Sequence, residues 1–215
     1  MTGQLSSGER EFATLVAQLR ALEDDIGAAR SAARRATADR PEPAADVHGE
    51  LTTLADGVQI VIRPIEPGDA RALAKGFERL GALSRFRLFR ERVDRLTEER
   101  IAELTRVDHT SRETLVAIAA ATGEGVGLAR YARVPDDPTR ADVSCTVIDG
   151  WQHRGVGTAL VERLATRARA AGIERCTALI LLGNEPARRL LAHVADELSE
   201  KRDGATLNIT AEARR

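Results

Sequence analysis

Seven residues, Gln152-His153-Arg154-Gly155-Val156-Gly157-Thr158, constrain this chain more than any other stretch. They follow a run that alternates as a strand does, Ala141 to Ile148. They open a helical run from about Gly155 to Ala171, ended by Gly172. Glycines at such a passage let the backbone turn so that consecutive N–H groups converge. A helix N-terminus adds a partial positive charge, so the place suits a diphosphate, and Arg154 brings a cation close by. Two common phosphate loops do not fit. A P-loop needs Gly-Lys-Ser/Thr, which this sequence lacks. A dinucleotide fingerprint needs a third glycine where Leu160 stands, and a parallel strand–helix order after it. On the motif alone, a glycine-rich turn without a ligand remains open.

The rest of the chain reads as a mixed α/β sheet behind an N-terminal arm. Residues 9–38 carry Phe12, Leu15, Leu19, Leu22, Ile26, Ala29, Ala33 and Ala36 at alternating steps of three and four. Such a helix would be about 45 Å long. It either packs on its own domain or forms the seam of a homodimer. Arg40-Pro41-Glu42-Pro43 ends it, and residues 41–50 form a linker to a domain over residues 51–211. Thr52 to Arg63 predicts a hairpin with a two-residue turn at Asp56-Gly57. Pro67 starts a helix with Ala70, Leu73, Ala74, Phe77 and Leu80 on one face. Ser84 to Phe89 reads as a loop, and Thr97-Glu98-Glu99 opens a second helix. Strands follow over Thr114–Ala120, Val126–Arg133 and Ala141–Ile148, with Cys176–Leu182 apolar on both faces and therefore central. Pro186 starts a last helix, and Ala205–Ile209 is a last strand.

Within the third strand, Asp142, Ser144 and Thr146 face one side and Val143, Cys145 and Val147 the other. The apolar side belongs under the long helix. A polar face in a covered sheet predicts a cleft.

Composition narrows the function classes. A net charge of −1 leaves no electrostatic footprint for nucleic acid or an anionic membrane. The longest apolar runs fall far short of the ~20 residues of a membrane span, and the first residues are polar, without a signal-like apolar core. Cys145 and Cys176 lack the number and spacing of a metal or disulfide framework and read as buried apolar residues. His48, His109, His153 and His193 do not cluster in sequence, so no metal is expected. Together these features predict a cytoplasmic protein.

The unbroken run Gln152-x-x-Gly155-x-Gly157 resembles the pyrophosphate loop of the GNAT acetyltransferases, Gln/Arg-x-x-Gly-x-Gly/Ala. The likeness covers roughly residues 52–195 and is strongest to the bacterial protein-lysine acetyltransferases of the Pat type. It rests on Arg63-Pro64-Ile65 with Asp69-Ala70, Ser84-Arg85-Phe86 to Phe89, Leu104 to His109, Leu115-Val116-Ala117, and Trp151 to Gly155.

The resemblance implies the GNAT fold and acetyl-CoA as acyl donor. Val147 and Ile148 would hold the pantetheine arm through their backbone, and residues 152–158 the diphosphate. Asn184, three residues before Ala187, matches an asparagine that contacts the pantetheine arm; Asn also suits a helix N-cap. The branch's general base, a glutamate, falls on Asp142 here, one methylene shorter. Asp142 is that base or a solvated strand-end carboxylate. Many GNAT enzymes carry a tyrosine acid on the last helix where this chain has Leu191. The acceptor implied is protein lysine. The rivals are a small amine or antibiotic as acceptor, and a CoA-binding sensor module without activity.

Overall fold

The computed structural model describes residues 49–89 and 91–213. The arm expected over residues 9–38 lies outside the described residues.

Eight strands form one sheet in the order β1-β2-β3-β4-β5-β6-β8-β7. They are β1 Glu50–Thr53, β2 Gln59–Pro64, β3 Arg112–Ala119, β4 Gly125–Val134, β5 Asp137–Val147, β6 Arg175–Leu181, β7 Ala195–Asp203 and β8 Thr206–Ala213. Among the described residues, five helices flank it: α1 Ala70–Glu78, α2 Ala82–Phe89, α3 Glu98–Thr105, α4 Val156–Ala170 and α5 Glu185–Val194. Every neighbouring pair is antiparallel except β5 and β6, which run parallel with α4 as their crossover.

The layers follow from strand alternation. Ala129 and Tyr131 of β4 lie in one buried cluster with Val156, Leu160 and Leu164 of α4. Val143, Cys145 and Val147 of β5 pack against that cluster, as their shared face predicts. Each fully buried Leu or Ile there contributes roughly 1.5–3 kcal/mol. Arg130, one step over on β4, points to the other face and meets Glu103 of α3 at 3.2 Å. That face is covered by α1–α3, whose own small core is Phe77, Leu80 and Leu96.

Arg63 explains the start of α1. Its guanidinium grips both Asp69 carboxylate oxygens at 2.7 Å, and Asp69 also accepts the Glu66 N–H at 2.8 Å. The pair holds the strand-to-helix turn from both sides. Thr97 caps α3 as expected, its hydroxyl oxygen accepting the Arg100 N–H.

Two expectations need correction, and one strand has no counterpart in the sequence reading. The hairpin turn is not a two-residue one: the Leu54 N–H bonds Val58 O at 2.8 Å and the Gly57 N–H bonds Leu54 O at 2.9 Å. Only Gly57 takes a positive φ, at +81°, while the Asp56 carboxylate accepts the Val58 N–H. Ser84 to Phe89 is helical, not a loop, because Asp149 reaches across from the end of β5 to cap α2. Ala195–Asp203 is a strand that its composition conceals. As the sheet's edge it exposes most of its charged residues, with Ala195 buried, so it carries no apolar alternation to read.

Candidate active site

The parallel ladder between β5 and β6 is three rungs long: Arg140 faces Arg175, Ala141 faces Cys176, and Asp142 faces Thr177. Beyond these rungs β5 continues to Val147 and β6 to Leu181 without pairing to each other. The two strands splay. Ile148 donates its N–H to Val126 of β4 at 3.0 Å, so residues of even number on β5 direct their backbone groups to β4. The backbone groups of Val143, Cys145 and Val147 point the other way, into the splay.

A cleft of about 1460 Å³ passes through this opening. It is lined from one face by Thr158, Leu164 and Leu190, and from the other by Ser84, Arg130 and Ser144. The predicted polar face of β5 is thus one wall of a cleft. Burial pushes the Cys145 thiol up to about 12 and the Cys176 thiol to about 11, which makes both poor nucleophiles.

The loop expected to hold a diphosphate sits at the mouth of the splay. Gly155 is the N-cap of α4, with φ +94°, and no side chain caps the helix. The first bond within the helix runs from Ala159 N to Gly155 O, which leaves the four amides of residues 155–158 outside the helix's own ladder. His153 also adopts a left-handed φ of 61°, a conformation a residue with a Cβ takes only at a cost. Alternating left-handed residues of this kind turn amides toward a common point.

Each candidate residue has a definite place. The Gln152 side chain turns inward, its Nε2 donating to Val147 O at 3.0 Å, and to Ser84 Oγ and Asp149 Oδ1 at 3.2 Å. It secures the loop to the end of β5. Arg154 leans away, bonding Asp56 Oδ2 at 2.6 Å and stacking 4.4 Å from the centre of the Trp151 ring. This guanidinium holds the Asp56 carboxyl below its usual range. Val156 is buried beneath the helix, whereas His153 is exposed. Asn184 is the N-cap of α5, its Oδ1 accepting the Ala187 N–H at 3.4 Å. Asp142 is exposed at the last rung before the splay, and the Thr177 hydroxyl donates to its carboxylate. Leu191 packs against Ala178, Ile180 and Ile209.

Sequence reasoning missed two features here. The carboxylate of Asp149 joins Ser84 to Gln152, yet Asp149-Gly150 reads simply as a turn. Glu103 pairs with Arg130 inside the cleft, a partnership 27 residues apart that no local pattern announces. Among the described residues, no three His, Cys, Asp or Glu side chains gather as a metal site requires, and no helix is long and apolar enough to cross a membrane.

Comparison with known proteins identifies the family and the fold. Residues 79–195 match the model of the acetyltransferase (GNAT) family. Acetyltransferase Pat of Mycolicibacterium smegmatis is 29% identical over 135 residues, which is 63% of this chain and 40% of that protein. The chain therefore matches well under half of that curated relative. The crystal structure of the GNAT domain of S. lividans PAT superposes with a TM-score of 0.68 at 28% identity, covering 76% of this chain and 96% of that one. A structure of yncA from Salmonella typhimurium with its cofactor acetyl-CoA shares the fold, with a TM-score of 0.57 at 18% identity over 73% and 95% of the two chains. The family model matches more than half of the chain, and the fold agrees with it: this chain belongs to the acetyltransferase (GNAT) family.

Proposed function

We propose that the chain transfers an acetyl group from acetyl-CoA to the ε-amine of a protein lysine, in the cleft between β5 and β6. The observation that carries this reading is the splay itself, with its strand-edge backbone groups and four free-ended amides at one mouth. The amides of residues 155–158 receive the diphosphate. The pantetheine arm enters the splay, where Val147 offers the backbone N–H, because that of Ile148 is spent on Val126. Asn184 and Ala187 bound the far side at the start of α5. In keeping with its inward bonds, Gln152 acts by holding the loop.

The amine must reach the thioester neutral. Asp142 stands on the cleft's polar face and takes the proton, directly or through a water, as the amine bonds the acyl carbon. The carbon–sulfur bond then breaks and CoA leaves as thiolate, which takes its proton from solvent or from the amine's spent base.

A protein acceptor is favoured by the walls. Of the five carboxylates that line the cleft, Asp69, Glu91 and Glu103 are each paired with an arginine (Arg63, Arg100 and Arg130), which leaves Asp142 and Glu212. A site built to grip a free cationic amine would leave the three paired ones uncompensated. The likeness to Pat points the same way.

Incubation with labelled acetyl-CoA, lysine peptides, a mixed protein extract and a panel of small amines decides the acceptor. Acetyl-lysine in protein or peptide supports the reading. Exclusive turnover of small amines overturns the acceptor. Tight CoA binding with no turnover would instead favour a sensor module, a reading that Leu191 at the usual tyrosine position keeps open.

A further inference from the structure

The end of β5 and the start of α2 are joined by one carboxylate. Asp149 Oδ2 accepts the Gly81 N–H at 3.2 Å and Oδ1 accepts the Ser84 hydroxyl at 2.6 Å. The same Oδ1 accepts from Gln152 Nε2 at 3.2 Å, and that amide also donates to Val147 O. Asp149 thus does for α2 what a local cap would do, from a position 65 residues further along the chain. Gly81 is shaped for it: a Cβ there would lie 2.4 Å from Asp149 Oδ2. Its φ lies outside the left-handed region, so the glycine serves this close approach and not a special turn. Ser84 is 9% exposed, so its hydroxyl has no ready substitute in water.

The two ends of this network belong to opposite tasks. Gln152 opens the loop at the splay's mouth, whereas Ser84, Arg87 and Leu88 of α2 line the cleft on the polar side of the sheet. We propose that Asp149 is a positioning residue that makes the donor loop and the acceptor-side wall one mechanical unit, so that binding of CoA at the loop orders α2. This rests on the reading of residues 152–158 as the donor loop. Ordering a wall before the acceptor arrives gives positive coupling between the two substrates.

Hydrogen exchange tests this on the full chain, with CoA affinity measured first by calorimetry. Saturating CoA should slow exchange of the α2 amides in the wild type. In Asp149→Ala that slowing should vanish, and in Gly81→Ala too, because the added methyl displaces the carboxylate while leaving Asp149 in place. If the lysine acceptor holds, both variants should raise acceptor KM about tenfold, with kcat far less changed. The double variant Ser84→Ala/Asp149→Ala should be no worse than Asp149→Ala. A mere loss of stability would lower the melting temperature without this KM-against-kcat split. The proposal is overturned if CoA binds the wild type and leaves α2 exchange unchanged, or if both single variants keep the CoA response. A wild type that does not bind CoA at all sinks the donor-loop reading first, and calorimetry shows that before any variant is made.

Discussion

Gly157 meets Leu190 so closely that a Cβ added to the glycine would lie 3.2 Å from the leucine's Cδ1, with Val147 Cγ2 at 3.7 Å. The second glycine of the loop is therefore a packing residue: it lets α4 approach α5 at the mouth of the splay. The first is different. A Cβ on Gly155 would have room, 3.8 Å from Leu54 Cδ2, but the backbone there is left-handed. The motif thus joins two unrelated demands.

Those demands separate experimentally. Gly157→Glu should weaken CoA binding by at least tenfold in calorimetry, since its side chain enters the space between Val147 and Leu190. Gly155→Ala should lose roughly 1–2 kcal/mol of stability to left-handed strain, read as a shifted urea midpoint, and misdirect the amides. If Gly157→Glu bound CoA as tightly as wild type, the loop would not be the donor site.

Behind α4 lies a buried charge. Glu113 is fully buried, with Arg167 Nε at 2.5 Å, His109 Nδ1 at 2.8 Å and the Thr114 N–H at 3.0 Å. Arg167 is itself 43% exposed, which softens its loss. Arg167→Met should cost about 1–3 kcal/mol, because a buried carboxylate keeps fewer partners. Adding Glu113→Leu should restore much of that loss, since an apolar pair needs no solvation. Chemical denaturation of the two variants checks both; a double variant less stable than the single would contradict this account.

Asp108 gives the pH dependence a defined window. Its Oδ1 accepts the N–H groups of Arg112 and Ser111 at 2.8 Å and of Thr110 at 2.9 Å as the chain enters β3. These bonds hold its pKa at about 2, against an ordinary 3.8. A carboxyl depressed on folding stabilises the native state above its unfolded pKa and loses that contribution as pH falls through its folded one. The melting temperature of Asp108→Ala should lie below wild type at pH 7. The gap should close as pH drops from about 4 toward 2. A gap constant across that range would mean the side chain acts by shape and not by charge.

The parts of this protein that a local pattern can write were visible in the sequence. The strand faces of β5, the start of α3 at Thr97, and the end of α4 at Gly172 each rest on residues a few positions apart. So did the family, because a loop such as Gln152–Thr158 must solve a local backbone problem. What escaped reading is made by distant partners. Helix α2 lacks a cap of its own and takes one from Asp149. Strand β7 is stabilised by pairing with β8, not by an apolar face. The splay is invisible in either strand alone, since it exists only where the Asp142–Thr177 rung is the last.

That last rung sets the final prediction. Asp142 is exposed, faces the cleft's polar side and accepts a hydrogen bond from Thr177, so its carboxylate is steered by β6 as well as β5. As general base, Asp142→Asn should lower kcat/KM by roughly 10²–10⁴. The deficit should shrink as pH rises, because the amine then deprotonates without help. CoA affinity should stay near wild type, since the residue lies away from the loop amides. Asp142→Glu extends the carboxylate by one methylene and should keep or raise the rate. Thr177→Val removes the steering bond while sparing the carboxylate, and should cost less than Asp142→Asn. Paired rate–pH profiles distinguish the roles: an Asn variant with full rate at neutral pH would leave Asp142 a solvated strand-end carboxylate and move the base to another group of the cleft.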